Sequence, residues 1–521
     1  MITAIIINGI YMDSTFLMRL SRDIKGIGGV NRATAVMGTE MNKTVLDEFG
    51  ALDEKTQKAG PNDLVIALDI EDLGLCGKVT EFVREVMSKQ NEPAVGEEGP
   101  RSYPSIEAAC GAEKPNLAII SLPGEFAAEE GINALENGMH VFMFSDNVLL
   151  KDEMEMKRIG REKGLLVMGP GAGTAILDGI SVGIMSKVRP GPVGIVAASG
   201  SGLQEVAMLV HRYGLGVTQA IGTGGRDLSK DVGGSTMLMG IRMLKEDPDV
   251  GVIVLISKPP HPDTMEKIFA EVKKCQKPVV IFFLGGDRET VKKSGAFYAA
   301  TLEEAALMAV TIARGGKPAE TDYVAECKAE LEKMARAEKA KLRPGQKYLR
   351  GLFCGGTHSE EAVVLMQNFV PDLHSNIKFG RTEFLKNRHI SLKNSLVDMG
   401  DEEFTKGRPH PVIDPSIMND RLLQEGRDPA VGVILFDLLL GYAVHENPAG
   451  TIAETIRQIR EESEAEGRYI SMVASVCGTD LDPQGFDAQK RCLERLGVHV
   501  LESNGRAALL AGMIVSEGGK K

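Results

Sequence analysis

The sequence predicts an α/β protein whose helices pack on both faces of parallel β-sheets. Short apolar strands alternate with amphipathic helical stretches along most of the 521 residues, which is the pattern of doubly wound sheets. In addition, one long segment occurs twice, and each copy opens with a glycine-rich turn between an apolar strand and a helix. Duplicated segments of this size usually pack against each other, so we expect the two turns to face one ligand.

Three landmarks recur in the same order in the two copies. The first copy opens with GIVAASGSG at residues 194–202, and the second opens with GLFCGGT at residues 351–357. Farther along, DPDVGVIVL at 247–255 is matched by DPAVGVILF at 428–436. Between these landmarks both copies carry a loop rich in glycine and arginine. The conserved order predicts that the two copies share one fold.

The chain divides into four predicted segments. Residues 1–188 are predicted to form a Rossmann-like domain, with strands at 64–68, 117–121, 141–144 and 165–168. Residues 189–320 and 348–521 hold the two copies, and each is predicted to be a flavodoxin-like domain with a parallel sheet. Residues 321–347 are charged, alanine-rich and helical in pattern, which indicates a linker helix or an outer layer, and we take them as a helical linker between the two copies.

Composition and charge exclude several classes of function. The net charge of -12, without any cluster of lysine and arginine, argues against nucleic acid as a partner. The sequence has neither a signal peptide nor an apolar run of the roughly 20 residues that cross a bilayer, so no membrane association is expected. The seven cysteines are scattered and form no C-x-x-C, which predicts reduced thiols and a cytoplasmic location. No structural metal site is expected, because ligand spacing is absent at His211, His374, His389, His445 and His499.

The two glycine-rich turns are predicted to bind phosphate. A helix start presents unpaired backbone N–H groups and the positive end of the helix dipole, and glycine lets an anion approach closely. Tight packing of strand and helix is the alternative explanation for such a turn. The predicted phosphate- and substrate-binding residues of the turns and of the first copy's loop are Ser199, Gly200, Ser201, Gly202, Gly224, Gly225, Gly355, Gly356 and Thr357.

Charged side chains near the same loops are candidates for substrate contact and chemistry. Arg226 and Arg408 each follow a glycine, and the planar guanidinium group fits a carboxylate or a phosphate, although a structural ion pair is the alternative. Lys258 follows a strand at the edge where ligands bind in open α/β sheets. His410 lies between two prolines and is followed by Asp414, a pair that could move a proton or brace the loop. Arg408, His410 and Asp414 form the predicted catalytic set.

Several of these segments resemble the α subunit of succinyl-CoA synthetase, namely GLLVMGP at 164–170, the first glycine turn and IGTGG at 221–225. The second copy is similar to the ligase domain of the synthetase β subunit. The FdrA family, a branch of this acyl-CoA synthetase superfamily, resembles the chain most closely, in FSDNV at 144–148, GGRDLS at 224–229, SKPP at 257–260 and GRPHPVIDP at 407–415. This resemblance implies a subunit of oxamate carbamoyltransferase, which converts oxalurate and phosphate to oxamate and carbamoyl phosphate in allantoin breakdown.

The chain departs from the synthetase pattern at the phosphoryl carrier. In the α subunit a phosphorylated histidine follows the strand that corresponds to residues 279–284, whereas this loop reads GGDRET at 285–290. No histidine occurs between His261 and His358, and the sequence lacks the ATP-grasp half of the β subunit. The resemblance therefore implies carbamoyl exchange with phosphate, with no cofactor required and with CoA binding only weakly supported.

Two other functions stay open. The chain could be a subunit of an NDP-forming acyl-CoA synthetase that needs a separate nucleotide-binding partner, or a scaffold of the same fold without catalysis. The expected partners are a small anionic ureide, phosphate and companion protein subunits, and a homodimer is compatible with the sequence.

Overall fold

The computed structural model describes residues 1–10, 12, 14–91, 101–318, 323–405 and 409–516. Contacts divide the chain into two compact units, Met1–Tyr103 with Thr405–Pro409, and Pro104–Phe404 with His410–Lys521. None of the helices in the described residues is long and apolar enough to cross a bilayer.

The first unit contains a three-stranded antiparallel sheet. Its elements are β1 (Ile2–Ile7), α1 (Ser14–Lys25), β2 (Val30–Met37), α2 (Glu40–Phe49), α3 (Glu54–Gln57), β3 (Leu64–Ile70) and α4 (Leu75–Asn91). The strand order is β1-β3-β2, and β3 pairs antiparallel with both neighbours. One face of β3 packs Leu64 and Ile66 against α1 and α4, and the other packs Val65 against α2.

This antiparallel sheet corrects the prediction of one Rossmann-like domain over residues 1–188. The predicted strand at 64–68 belongs to the first unit, whereas those at 117–121, 141–144 and 165–168 belong to the second unit. The physical reason is that β3 is covered on both faces. A strand in that position is apolar along its whole length whether its sheet is parallel or antiparallel, so its sequence does not distinguish the two.

The second unit opens with a small parallel sheet. Its elements are α5 (Ile106–Glu113), β4 (Leu117–Ile120), α6 (Gly124–Glu136), β5 (His140–Met143), α7 (Leu150–Lys163) and β6 (Val167–Met168). The strand order β4-β5-β6, with helices as crossovers, is the predicted Rossmann-like connectivity.

The first copy of the duplicated segment forms a seven-stranded sheet of order β13-β12-β11-β9-β10-β7-β8. Strands β9 to β13 are parallel, and β7 and β8 add an antiparallel edge. Its elements are β7 (Thr174–Leu177), β8 (Ile180–Gly183), β9 (Val193–Ala197), α8 (Gly200–Arg212), β10 (Val217–Gly222), α9 (Ser235–Glu246), β11 (Val252–Ser257), α10 (Pro262–Val272), β12 (Val279–Phe283), α11 (Arg288–Lys292), β13 (Phe297–Tyr298) and α12 (Leu302–Ala313).

The second copy forms a seven-stranded parallel sheet of order β16-β15-β17-β14-β18-β19-β20. Its elements, with the helix that precedes them, are α13 (Tyr323–Lys339), β14 (Tyr348–Phe353), α14 (Gly356–Met366), β15 (Leu373–Ser375), β16 (Glu383–Phe384), β17 (Asn394–Asp398), α15 (Glu402–Thr405), α16 (Ser416–Gly426), β18 (Val431–Leu439), α17 (Pro448–Ala465), β19 (Ser471–Cys477), α18 (Phe486–Arg495), β20 (His499–Leu501) and α19 (Asn504–Val515).

The two copies share one hydrophobic core, and the α/β class with parallel sheets is confirmed. Leu203 and Val206 of α8 are fully buried in the same cluster as Leu352 and Phe436 of the second copy. The predicted linker contains α13, which contacts α19 and buries Leu331 in the core of the second copy. This helix is therefore an outer layer of the second copy.

Candidate functional site

The first glycine-rich turn starts α8 with a side-chain cap. Ser199 has an extended backbone, and its Oγ accepts a hydrogen bond of 2.9 Å from the Gly202 amide. The carbonyl of Ser199 accepts from the Leu203 amide at 3.1 Å. The first amides of a helix have no partner within the helix, and within the described residues no acceptor meets those of Gly200 and Ser201. Two donors thus remain at the start of α8.

The second turn starts α14 without a side-chain cap. Its N-cap residue is Gly355, whose carbonyl accepts from the Ser359 amide at 3.1 Å. In the part of the chain that the structure describes, the amides of Gly356, Thr357 and His358 find no acceptor. Thr357 and His358 are buried, so these amides are costly to leave unpaired. Among the described residues, the start of α14 therefore leaves one more amide without an acceptor than the start of α8 does.

The two turns meet directly, as the sequence predicts. Ser199 Oγ and Thr357 Oγ1 are 2.6 Å apart and share a hydrogen bond. A Cβ atom built on Gly355 would lie 2.7 Å from the Cβ of Ser201, so the second turn has room only for glycine at this position. The N-termini of α8 and α14 therefore converge at one place, and their dipoles add for an anion that contacts both.

Asp437, at the centre of the second sheet, fixes the second turn. Its Oδ1 accepts from the Cys354 amide at 2.5 Å, and its Oδ2 accepts from the Gly355 amide at 3.1 Å. Oδ2 also lies 2.8 Å from Nδ1 of His358. Asp437 thus binds the amides of Cys354 and Gly355, which precede α14, and it does not bind those of Gly356 and Thr357 inside the helix.

Asp398 brings a second carboxyl group to the start of α14. It ends β17, and its Oδ1 accepts from the Gly400 amide at 2.9 Å. A Cβ atom built on Gly356 would lie 2.8 Å from its Oδ2, so the group is next to the uncapped turn. Burial raises the pKa of Asp398 to about 7, and the hydrogen bond from Gly400 only partly offsets this. This carboxyl group can bind or release a proton near neutral pH.

The loop with His410 lies beside the same turn. A Cβ atom on Gly400 would be 2.6 Å from Nε2 of His410 and 2.8 Å from the Cys354 carbonyl oxygen. Burial lowers the pKa of His410 to about 4, so its imidazole is neutral at pH 7. A cavity of about 20 Å³, with room for one water, is lined by Val412 of this loop and by Asp437.

The predicted pair of His410 and Asp414 is not hydrogen-bonded through its side chains within the described residues. Asp414 is exposed, and its Oδ1 accepts from the Ser416 amide at 3.0 Å, at the start of α16. The two residues are joined through the backbone, because the Asp414 amide donates to the His410 carbonyl at 3.1 Å. Arg408, the third member of the predicted catalytic set, lies outside the described residues.

Lys258 links the first copy to α14. Its Nζ lies 2.6 Å from Oε1 of Glu360, which is buried, while the lysine side chain is half exposed. Burial raises the pKa of Glu360, and the charge of Lys258 partly offsets this shift. The lysine is thus placed one and a half turns along α14 from Gly355, at the predicted strand edge.

Arg226 has partners within the protein. Its Nε donates to Oε2 of the buried Glu153 at 2.8 Å, and its Nη2 donates to the Val148 carbonyl at 2.8 Å. Gly224 has a positive φ of 85°, and a Cβ there would lie 2.7 Å from the Pro170 carbonyl oxygen, so close packing requires this glycine. A Cβ atom on Gly225 would have no neighbour within 4 Å.

His358 is enclosed by carboxylates. Burial alone would lower its pKa, but the hydrogen bond with Asp437 and the charge of Glu205 outweigh burial and raise it to about 9. Nε2 lies 3.7 Å from Oε2 of Glu205, and the side chain has no exposed surface. The geometry gives an incoming phosphoryl group no access to this ring.

Three families of known proteins match different parts of the chain. The CoA-ligase family matches residues 352–514, the CoA binding domain family matches 188–285, and the family described as "AllF, heavy metal-associated domain" matches 1–102. The Escherichia coli K12 protein YahF is 40% identical over 511 residues, which are 98% of this chain and 97% of YahF. The chain belongs to the YahF family. With its CoA-ligase and CoA-binding domains, it is a member of the acyl-CoA synthetase superfamily.

More distant similarities are to a succinate–CoA ligase subunit and to a solved structure. The α subunit 2 of an ADP-forming succinate–CoA ligase from Archaeoglobus fulgidus is 28% identical over 198 residues, 37% of this chain and 67% of that subunit. The crystal structure of PH0766 from Pyrococcus horikoshii OT3 aligns with a TM-score of 0.34 and 14% identity, over 81% of this chain and 88% of that one.

The family name of the N-terminal segment implies a heavy metal, but the residues of this segment do not fit one. Residues 1–102 contain one cysteine, Cys76, and no histidine. A thiolate site for a heavy metal needs at least two cysteines, and this segment has one.

Sequence reasoning missed Asp398 and Glu360. Asp398 had a local signal, because it is a carboxylate at the end of an apolar strand, followed two residues later by glycine. That is the edge at which open α/β sheets bind ligands. Glu360 had no such signal, since an acidic residue in the second turn of a helix is ordinarily solvated.

Proposed function

We propose that this chain is the subunit of an NDP-forming acyl-CoA synthetase-type enzyme that binds the phosphate of an acyl phosphate, and that a separate partner chain binds the nucleotide. The observation that supports this proposal is the convergence of two helix starts, one of them uncapped, at residues 199–202 and 355–357. The free amides of Gly356 and Thr357 would hold the phosphate, and those of Gly200 and Ser201 would approach it from the first copy.

The reaction is the half in which phosphate and an acyl group are exchanged. A phosphate oxygen would attack the carbonyl carbon of an acyl-CoA thioester, and the negative charge that develops on the carbonyl oxygen would need fixed donors. The C–S bond would then break, and the CoA sulfur would leave and take a proton, which gives the acyl phosphate and free CoA. Asp398, protonated below its pKa of about 7, can donate a hydrogen bond to a phosphate oxygen and take part in proton transfer. His410 stays neutral in the same place and can accept or donate through one nitrogen.

This chain is proposed to work without a phosphohistidine of its own. His358 is fully buried between Asp437 and Glu205, and the loop at 285–290 contains no histidine. The chain would therefore make or consume the acyl phosphate, and the companion subunit would transfer the phosphoryl group to or from the nucleotide. CoA is a candidate acyl acceptor through the region matched by the CoA binding domain family.

Carbamoyl transfer is the second candidate, and it is favoured by the match of residues 1–102 to a family named AllF together with the FdrA resemblance. A phosphate oxygen would attack the carbamoyl carbon of a ureide such as oxalurate. The C–N bond would break, and the leaving nitrogen would take a proton, giving oxamate and carbamoyl phosphate. Lys258, Arg226 or Arg408 would then meet the substrate's carboxylate.

One experiment separates the two candidates. The chain, purified with the subunits that co-purify with it, is incubated with phosphate and oxalurate, and separately with nucleoside diphosphate, phosphate and acyl-CoA substrates. Nucleoside triphosphate formation would support the synthetase, and carbamoyl phosphate formation would support the transferase. If neither product forms under conditions in which the complex is folded and binds phosphate, both proposals fail and a scaffold role remains.

A further inference from the structure

Three buried side chains from three different elements converge behind the two glycine turns. They are Glu205 of α8, His358 of α14 and Cys477 at the end of β19. All three are buried, and one ligand atom of each lies within 4.8 Å of the other two. They are separated by more than a hundred residues each in sequence, so no spacing motif marks them.

Two of these atoms lack a hydrogen-bond partner. Nε2 of His358 and Oε2 of Glu205 are both buried without a hydrogen-bond partner, and they face each other as an ion pair across 3.7 Å. This separation is too long for a hydrogen bond. It is close to the roughly 3.4 Å that separates two ligand atoms of one tetrahedral zinc ion with bonds of about 2.0–2.2 Å.

From this arrangement we propose that Glu205, His358 and Cys477 bind one Zn²⁺ ion. A thiolate, an imidazole and a carboxylate together select zinc over magnesium or calcium, which prefer oxygen ligands alone. The ion would give each of these two atoms a direct bond, which neither has to a hydrogen-bond partner, and would offset the negative charge of the buried carboxylates. A water molecule would complete the coordination.

The surroundings hold two of the ligands as zinc sites require. Nδ1 of His358, the nitrogen that would not bind the ion, lies 2.8 Å from Oδ2 of Asp437. Oε1 of Glu205 accepts from the Asn504 amide at 3.0 Å, which leaves Oε2 for the ion. A carboxylate behind a zinc-bound histidine fixes the tautomer and the orientation of the ring.

The zinc ion would act as a brace between the two copies. It would join α8 to α14 and β19, and through His358 and Asp437 it would be coupled to the amides of Cys354 and Gly355. Loss of the ion would therefore let the N-termini of α8 and α14 move relative to each other. This role does not depend on which acyl group the enzyme transfers.

The direct test is the metal content of the full chain, purified without chelators and measured by plasma mass spectrometry. We expect about one zinc ion per chain. Cys477→Ala and His358→Gln should each lose the ion, whereas Cys492→Ala, which removes a half-buried thiol of α18, should retain it. Chelation should lower the melting temperature of the wild type and of Cys492→Ala but not that of Cys477→Ala.

A second measurement does not depend on the variants folding. Wild-type protein stripped of metal and titrated with Co²⁺ should show thiolate-to-cobalt charge-transfer absorption that saturates at about one equivalent. Wild-type protein that contains no zinc, and takes up neither Zn²⁺ nor Co²⁺ after reloading, would overturn the proposal. Zinc that persists in folded Cys477→Ala and His358→Gln would overturn it as well.

Discussion

The two copies of the duplicated segment have the same arrangement of strands but different residues at the ends of those strands. In the first copy, Gly222 of β10 lies beside Ala197 of the central strand β9, and Ile256 of β11 lies on its other side. In the second copy, Asp398 of β17 lies beside Phe353 of the central strand β14. On the other side of β14, Phe436 of β18 pairs with Leu352, and the next residue of β18 is Asp437. Asp437 thus occupies the position in the second copy that Ile256 occupies in the first.

The difference changes how the turn is held. In the first copy the Ala198 amide donates to the Ile256 carbonyl at 2.9 Å, an ordinary backbone bond. In the second copy the corresponding amide, of Cys354, donates to the Asp437 side chain. At these strand ends the first copy therefore holds its turn with backbone groups alone, whereas the second copy holds its turn with an ionisable side chain. Both copies keep the strand–turn–helix geometry, and Asp398 and Asp437, the two carboxyl groups at these strand ends, belong to the second copy.

The largest expected effect comes from Asp437→Asn. The amide cannot accept from two backbone N–H groups and His358 at once, so a buried network is broken. We expect the free energy of unfolding to fall by about 3 kcal/mol or more, whereas Ile256→Val at the equivalent place should cost about 1 kcal/mol. Denaturant titration of both variants measures this, and equal losses would mean that the two turns are held in the same way.

The next largest effect is the pH dependence of anion binding at Asp398. With its pKa raised to about 7, the carboxyl group is neutral below that pH and repels an anion above it. Affinity for sulfate, which does not titrate in this range, should fall by roughly tenfold for each pH unit above 7 in the wild type. Asp398→Asn should bind sulfate with equal affinity at pH 6 and pH 9. If the affinity of this variant falls with pH as it does in the wild type, Asp398 is not the group whose ionisation weakens binding.

The same ionisation affects stability with a defined sign. The folded pKa lies above the value of 3.8 for the free side chain, so the unfolded chain releases this proton first. The contribution of Asp398 to stability is therefore complete below pH 4 and is lost as the pH rises to 7. In Asp398→Asn the free energy of unfolding should fall less over that interval, as urea titration at each pH can show.

Much of the fold could be predicted from the sequence, and the reason is local. The duplicated landmarks, the strand–turn–helix pattern and the strand edge with Lys258 are all encoded within short segments. The antiparallel sheet of residues 1–103 could not be distinguished, because β3 is apolar on both faces. For Arg226 the sequence left ligand contact and a structural ion pair open, because its partner Glu153, 73 positions earlier, has no signal in the sequence.

A smaller effect distinguishes the two glycine turns by a matched pair of substitutions. In Gly356→Ala the new methyl group would lie 2.8 Å from Asp398 Oδ2, but in Gly200→Ala its nearest neighbour would be Thr174 Oγ1 at 3.6 Å. Phosphate affinity should fall by about tenfold in Gly356→Ala, a loss of roughly 1.4 kcal/mol, and by less than about twofold in Gly200→Ala. Calorimetric titration gives both values, and a reversed order would assign the anion to the first turn.

The smallest effect concerns the ion pair of Lys258 and Glu360. Replacing the half-exposed lysine by methionine leaves the buried carboxylate without its cation, at a cost of about 1 kcal/mol at neutral pH after solvent screening is allowed for. Because the pKa of Glu360 is already raised, stability of Lys258→Met should fall further as the pH rises. The double variant with Glu360→Gln should lose this pH dependence; if it does not, another group is responsible.

The central claim is that the starts of α8 and α14 bind one phosphate together, and a crystal structure of the chain with phosphate or tungstate tests it most directly. We predict one tetrahedral anion within hydrogen-bond distance of the amides of Gly356 and Thr357, with Gly200 or Ser201 as a further donor. An anion bound elsewhere in the protein, with both helix starts occupied by water alone, would contradict the account.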